Sequence, residues 1–383
     1  MEERAPGGMD RRGFLKRAGI AAAGLGLLAC APAAAPTATP TKAPAPTSAA
    51  TAAPAAKPAA APTPSDADAL AKLYEAAKKE GEVMVYSMGT EQEWKQFADD
   101  FGKQFPGVKT SGYVGTSEQV QDKLLTEARA RRQVGDVVFK APIDYVYSFT
   151  KEGLLDAYIS TQARQFDPGH YDPNGLWYTN MWNPFAPEYN TQAIPKEQAP
   201  KSYADLLKPE FKGKLGLEAT PVFWFTGMLS IMGKEKGLEY MKKLAEQKPR
   251  LISGHTSLHK MVISGEVSVA VYMFGLRVVG DKDKGAPIEW VYPTEKTPAL
   301  PNFAGVMKNA PHPNAARLML EYTLSEAGAK VMANQLWIPT RRGVELGNLA
   351  PLAKMNVLIP GDPMFGKEVE ANLKVFQDIF GRP

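Results

Sequence analysis

Apolar positions recur at helical spacing in Leu70, Leu73, Tyr74 and Ala77, with Ser65 and Asp68 as a capping pair, and the pattern then changes to a short run over 83–87. A helix followed by a strand is the expected reading. Beyond the exit loop Met88-Gly89-Thr90, the residues Trp94, Phe97, Phe101 and Phe105 mark the buried stripe of a second helix, which Pro106 ends. The unit repeats with a strand over 108–114, the loop Gly115-Thr116-Ser117, and a helix carrying Val120, Leu124, Leu125 and Ala128. A third strand over 135–139 leads through Lys140-Ala141-Pro142 into a helix reaching Glu152. Strands alternating with amphipathic helices predict an α/β fold with a mainly parallel sheet covered on both faces. In such sheets ligands collect at the loops beyond the strand carboxyl ends, where helix N-termini present free N–H groups.

A turn-rich passage through Pro168, Pro173, Asn174 and Gly175 separates this series from an aromatic run over 177–189 that also holds Asn180 and Asn183. The next stretch, 189–217, is punctuated by Pro195, Pro200 and Pro209; Ser202 and Asp205 predict a short capped helix over 203–207, and Gly213 and Gly216 lead into a strand near 215–217. Helices are expected over 222–232, 237–248 and 255–264, with a strand over 267–272. Pro311-His312-Pro313-Asn314-Ala315-Ala316-Arg317 opens a helix to Leu324, and Ser325-Glu326-Ala327-Gly328 opens its successor. The last helix carries Phe365, Val369, Leu373, Phe376 and Phe380 on one face.

Composition changes the picture at the front of the chain. The sequence has 383 residues and 32 prolines, too many for one evenly folded chain, and the excess sits over 31–65, where nearly every residue is Ala, Pro, Thr or Ser. Such a composition buries too little apolar surface to offset the entropy of ordering, so 31–65 reads as a disordered tether. Residues 1–65 hold seven Lys/Arg against three acids, which accounts for the whole formal charge of +4; the part from Asp66 onward is formally neutral. A nucleic-acid partner is therefore not indicated.

The segment 1–30 resembles a twin-arginine export signal, with Asp10-Arg11-Arg12-Gly13-Phe14-Leu15-Lys16 before a small, apolar run over 18–29. That run is too short to span a membrane. Leu27-Leu28-Ala29-Cys30 resembles a lipobox, which implies lipidation at Cys30 and an extracytoplasmic protein held to the membrane by that anchor; cleavage at a nearby small residue is the other reading. Cys30 is the one cysteine of the chain, so the rest can form neither a disulfide nor a thiolate metal site.

The stretch 189–217 carries Asn190-Thr191, Pro195-Lys196, Pro200-Lys201-Ser202, Asp205-Leu206-Leu207 and Lys212-Gly213-Lys214 in series. It resembles the solute-binding proteins of bacterial ABC importers, in the ferric-binding-like branch, and the late Ala-Pro-His-Pro-Asn-Ala-Ala and Leu-Ser-Glu-Ala-Gly segments are similar to that family's as well. The resemblance implies a two-lobed type 2 periplasmic-binding fold, with central mixed sheets, hinge strands between the lobes and a ligand cleft. Lobe 1 is then 66–182 plus about 303–345, and lobe 2 is 183–302 plus about 346–383, with the last helix packed on lobe 2. The implied partners are a small polar or anionic solute and an ABC permease, the receptor being a monomer that uses no cofactor and catalyses no reaction.

On this reading the cleft is lined from lobe 1 by Ser87, Gly89, Thr90, Thr116, Ser117 and Lys140, whose hydroxyls, N–H groups and ammonium suit an anionic head group. Helix capping, with or without ligand contact, explains the four hydroxyl residues equally. From lobe 2 the candidates are Trp224, Thr226, Thr256, Ser257, Tyr272 and Arg277. Trp224 serves either the core or a stacking platform, and Arg277 either pairs with a carboxylate or phosphate or is a solvated residue beside the turn 281–284.

Ferric-binding relatives carry two adjacent tyrosines nine or ten residues after a Gly-Glu pair; counted from Gly265-Glu266, that place holds Gly275-Leu276. Phenolate oxygens are the hard donors a ferric ion needs, so the usual iron dyad is missing, and a ferric or ferric-chelate receptor without it is the alternative. His255 and His259 stand four apart without a third ligand at a matching interval, which favours a core or surface pair over a metal site. An exported acyl hydrolase using Ser257 and Lys260, a Ser-x-x-Lys spacing, is the rival class; the accompanying motifs of such enzymes are absent. A surface-adhesive lipoprotein is the third reading.

Overall fold

A computed structural model describes residues 64–360 and 365–381. The expected export signal, Cys30 and the expected tether lie outside the described residues, except that Pro64 and Ser65 already belong to the first helix.

The opening units follow the hydrophobic pattern closely. In chain order they are α1 (Pro64–Glu80), β1 (Glu82–Met88), α2 (Glu91–Gln104), β2 (Lys109–Gly115), α3 (Ser117–Ala130), β3 (Val137–Pro142), α4 (Ile143–Lys151) and the short β4 (Leu155–Asp156). Trp94, Phe97 and Phe101 of α2 are buried as the stripe requires, and Phe97 stacks on Phe139 of β3 with ring centroids 4.5 Å apart. A long strand β5 (Tyr178–Asn190) follows, 13 residues with no exposed position. Next come β6 (Leu215–Glu218), α5 (Val222–Met232), α6 (Lys234–Glu246), β7 (Arg250–Ile252), α7 (His255–Ile263), β8 (Val269–Phe274), α8 (Gly275–Lys282) and β9 (Ile288–Trp290). The second long strand, β10 (Thr297–Met307), leads to α9 (Pro313–Leu324), α10 (Glu326–Asn334), β11 (Ile338–Pro339), α11 (Ala350–Ala353), β12 (Val357–Leu358) and α12 (Phe365–Phe380).

The main strand order is β2-β1-β3-β10-β5-β8-β6-β7. Parallel pairing joins β1 to β2 and β3, and separately β6 to β7 and β8; β10 and β5 run antiparallel between these groups. The strand β5 serves both. Its first half, Tyr178 to Pro184, pairs with β10, and its second half, from Phe185, pairs with β8 and β9. Each half of the sheet is covered on both faces, by α1, α2, α9 and α10 against α3 and α4 in the first, and by α5 and α6 against α7 and α8 in the second. The contacts do not part the described residues into separate bodies.

The late motif around His312 and Asn314 is a structural tie at two points. In the segment 310–316, the Asn314 and Ala315 N–H groups donate to the Glu80 carboxylate, which caps α9 from the end of α1. Buried Asp136 accepts from Met84 N, His312 N and His312 Nδ1 at 2.8, 2.8 and 2.9 Å, joining β1, β3 and the start of α9. Asp136→Ala leaves those donors unmatched in the interior, so unfolding in urea is expected to show a loss of about 2–4 kcal/mol.

The short helix expected over 203–207 is a 3-10 turn at Ala204–Leu207, with the Asp205 N–H donating to Ser202 Oγ at 3.1 Å. The last helix corrects an expectation. The C-terminal half of α12 packs on the second half of the molecule, Phe376 against Phe225 and Asn372 Nδ2 donating to Thr226 Oγ1. Its N-terminal end lies on α4 instead: a Cβ added at Gly366 would stand 2.6 Å from Asp144 Cα. One helix thus bridges both halves.

Candidate functional site

The register of the two long strands brings the carboxyl ends of both parallel groups to one place. Pro142, at the end of β3, lies opposite Asn302 of β10, and Phe274, at the end of β8, lies opposite Phe185 of β5. Between them Ala299 of β10 faces Pro184 of β5. The helices that follow those strand ends, α4 and α8, therefore start at the crease between the two halves. Strand alternation puts Met181, Asn183 and Phe185 of β5, Leu300 and Asn302 of β10, and Tyr272 and Phe274 of β8 on one face.

On that face Asn183 and Asn302 are buried, and the Nδ2 of each has no protein hydrogen-bond partner. Asn183 Oδ1 accepts from Leu276 N at 3.3 Å, at the start of α8. Buried polar groups are normally paired because an unmatched donor costs free energy, so two such amides on one face of the crease suit oxygen acceptors brought by a solute. The sequence reading assigned neither a role. Their signal is a pair of amides inside strands that are otherwise buried and apolar.

Among the first-half candidates, Thr90 and Thr116 are exposed N-caps. Thr90 accepts from Glu93 N at 3.2 Å and Thr116 from Gln119 N at 3.3 Å, each within a reciprocal capping box. Ser117 begins α3, Gly89 is exposed, and Ser87 is buried within β1. Lys140 adopts the left-handed backbone region at φ 60°, opposite the register shift between Phe303 and Gly305. Its side chain is 1% exposed, with Nζ 3.1 Å from Glu93 Oε1, 3.3 Å from Gln335 Oε1 and 5.3 Å from the Trp337 ring centroid. Burial pulls the Lys140 ammonium below the ordinary lysine range and the Glu93 carboxylate counters it. The cation is thus matched inside the protein, directly below the β1 exit loop at Gly89.

Among the second-half candidates, Trp224 is fully buried and stacks on Tyr272, centroids 5.0 Å apart and planes 4° from parallel. Thr226 is occupied by Asn372. The Tyr272 hydroxyl lies 2.9 Å from His255 Nε2, and burial keeps this phenol well above its ordinary pKa. Burial, with Arg277 nearby, pushes His255 down to about 4, so the ring is neutral and shares a hydrogen bond with the Tyr272 hydroxyl. Thr256 and Ser257 are exposed on the first turn of α7. Thr256 and Arg277 meet on one cavity of about 490 Å³ between α7 and α8, which His259, Lys260 and Asp281 also line. Arg277 lies on a helix that the sequence reading did not anticipate.

The structure thus brings together Thr256 with Arg277, Trp224 with Tyr272, and Gly89 with Lys140. Among the described residues no hydrogen bond or ion pair joins the first-half set to the second-half set. His255 and His259 do not share a site: the first meets Tyr272 and the second lies between Glu188 and Asp281. Ser257 and Lys260 are both exposed and, among the described residues, no hydrogen bond links them. At the place of the iron dyad, a Cβ on Gly275 would stand 2.9 Å from Leu352 Cδ1 and 3.2 Å from Asn183 Oδ1. A tyrosine does not fit there in this arrangement.

Known proteins share this architecture. The chain is 21% identical over 267 residues to the Fe(3+)-binding periplasmic protein of Serratia marcescens, covering 67% of this chain and 78% of that one. A Trichodesmium protein, IdiA (FutA), solved with iron and citrate, superposes with a TM-score of 0.68 at 19% identity, covering 79% of this chain and 100% of that one. The periplasmic binding protein AfuA of Actinobacillus pleuropneumoniae, solved with fructose-6-phosphate, gives a TM-score of 0.65 at 23% identity over 78% of this chain and 98% of that one. The fold is that of the type 2 periplasmic binding proteins. The sequence signature described as "Bacterial extracellular solute-binding protein" matches residues 136–359, more than half of the chain, and spans both long strands and the crease between them. The chain therefore belongs to the bacterial extracellular solute-binding proteins.

Proposed function

We propose that this receptor of an ABC importer captures a small polar or anionic solute in the crease where β5 and β10 cross. The two halves act as lobes, 66–182 with about 303–345 and 183–302 with about 346–383, hinged on the long strands. The observation that carries this reading is the pair of buried, unpartnered amide donors, Asn183 and Asn302, on the face where both groups of parallel strands end. The Arg277 guanidinium and the exposed hydroxyls of Thr116, Thr256 and Ser257 add donors around it. Lys140, Trp224 and Thr226 hold the lobes in shape beneath the contacts.

Donor groups outnumber acceptors, which favours carboxylates, phosphates or phosphonates over polyamines. Bare ferric ion is disfavoured, because Tyr272 stays a phenol and Gly275 stands where a ligating tyrosine would be needed. A thermal-shift panel of organic acids, sugar phosphates, phosphonates, polyamines, ferric citrate and ferric salt tests this. A captured solute at a hundred times its dissociation constant adds about 2.7 kcal/mol of stability. An oxyanion is expected to raise the melting temperature and ferric salt alone is not; a flat panel would count against capture.

The protein does no chemistry on this reading and works as a monomer that delivers its solute to the permease. No helix among the described residues is long and apolar enough to cross a membrane. The attachment we propose is a lipid on Cys30, after export through the twin-arginine signal.

A further inference from the structure

The side chain of His259 sits where the crossing strand meets both helices that open on the Arg277 side of the crease. It is 4% exposed, with Nδ1 2.9 Å from Glu188 Oε1 on β5 and Nε2 3.0 Å from Asp281 Oδ2 on α8. Glu188 itself is wholly buried. Two residues further along β5, Asn190 Nδ2 donates to Val262 O at 2.8 Å and to Ile263 O at 3.1 Å, at the end of α7. The strand β5 therefore grips α7 at its middle and its end, and reaches α8 through the same imidazole. Those helices begin at His255 and Gly275, and their first turns carry Thr256, Ser257, Leu276 and Arg277.

A neutral imidazole has one N–H and one lone pair, so between two carboxylates it sets that lone pair against an anionic oxygen. A ring protonated on both nitrogens donates to both. Other charges face the same cavity: Arg277 on α8, Lys260 on α7 and Lys284 beyond α8, with Lys284 Nζ 2.8 Å from Asp281 Oδ1. The carboxylates touch the ring and these cations do not. We propose that His259 is a positioning residue for solute capture: as an imidazolium between Glu188 and Asp281 it fixes the first turns of α7 and α8 against β5, and losing its proton releases them. The consequence for capture rests on reading the crease as the solute site, but the proton-linked positioning is measurable without a solute.

Burial opposes a charge on His259, yet the Glu188 and Asp281 carboxylates outweigh it and raise the ring above its ordinary value. Burial also raises Glu188, so both members favour retention of the shared proton. A raised folded pKa gives a stabilisation that is complete below the ordinary imidazole value and disappears as pH rises through the folded one.

The test is an NMR titration of the isotope-labelled full chain from about pH 5 to about pH 9, the range in which imidazoles change charge. The ring of His259 is assigned among the four histidines by His259→Gln and independently by Asp281→Asn, which alters a partly exposed carboxylate. The expected result is a His259 midpoint above that of free imidazole that falls in Asp281→Asn, with the Thr256, Ser257, Leu276 and Arg277 amide signals moving at the same midpoint. A His259 midpoint at or below that of free imidazole, or helix amides that ignore its titration, would overturn the proposal. A flat solute panel beside an intact proton-linked shift would remove the crease as the capture site and leave the clamp standing; the reverse pattern would do the opposite.

Discussion

Replacing Asn183 and Asn302 together by leucine is expected to abolish the melting-temperature rise that a captured solute produces, while leaving the solute-free protein about as stable as its parent. Both amides are buried and offer an Nδ2 that no protein group accepts. A hydrogen bond to a charged ligand group contributes about 1.5–3 kcal/mol, so losing two weakens binding by about 3–6 kcal/mol, or roughly a hundred-fold to ten-thousand-fold. The solute-free protein loses the Asn183 bond to Leu276 N but is relieved of two unmatched donors, so the net change should stay within about 1 kcal/mol. Calorimetric titration and thermal melts separate the two effects. A double variant that binds as tightly as the parent but melts far lower would make the amides structural and leave the crease without its principal contacts.

Trp224→Ala is expected to act in the opposite way, lowering the stability of the solute-free protein by about 3–5 kcal/mol as measured by denaturant unfolding. The indole is fully buried, stacks on Tyr272 and belongs to the core cluster that holds Phe225, Met228 and Met241. Truncation empties a cavity the size of the ring between α5 and β8, and such cavities collapse only in part. Were Trp224 an open stacking platform, the loss would appear in affinity and the unliganded protein would unfold at an almost unchanged denaturant concentration.

The stripes of α2 and α3 and the early strands were legible in the sequence because their periodicity is strong and their boundaries carry Gly, Pro or capping residues, and the span of α5, apolar nearly throughout, was legible from its bounding Pro221 and Gly233. The helix α8 was not, because two glycines in eight residues suppress helix propensity, and Gly275 is kept small by the approach of Leu352 and Asn183. The three-residue strands β7 and β9 are too short for any period to register.

For the site, residue type marked the capping hydroxyls of Thr90 and Thr116 but not whether they also face a solute. The charge of Lys140 is plain in the sequence, but its partner Glu93 lies on another element, a pairing that only the tertiary fold creates. Conversely, Asn183 and Asn302 acquire meaning from strand register, which sets them on one face of the crease. The bridging position of α12 also depends on tertiary packing: its apolar face is visible in the sequence, while the two bodies it touches are not.

The hinge itself is most directly tested by a distance across it. With Cys30 replaced by serine, spin labels on exposed Glu118 of α3 and exposed Lys242 of α6 place one probe on each half of the sheet. Pulsed dipolar spectroscopy should show the distance distribution shortening and narrowing when the solute that raises the melting temperature is added, and no such change in the Asn183→Leu, Asn302→Leu protein. An identical distribution with and without that solute in the parent protein would contradict closure about the β5–β10 crease.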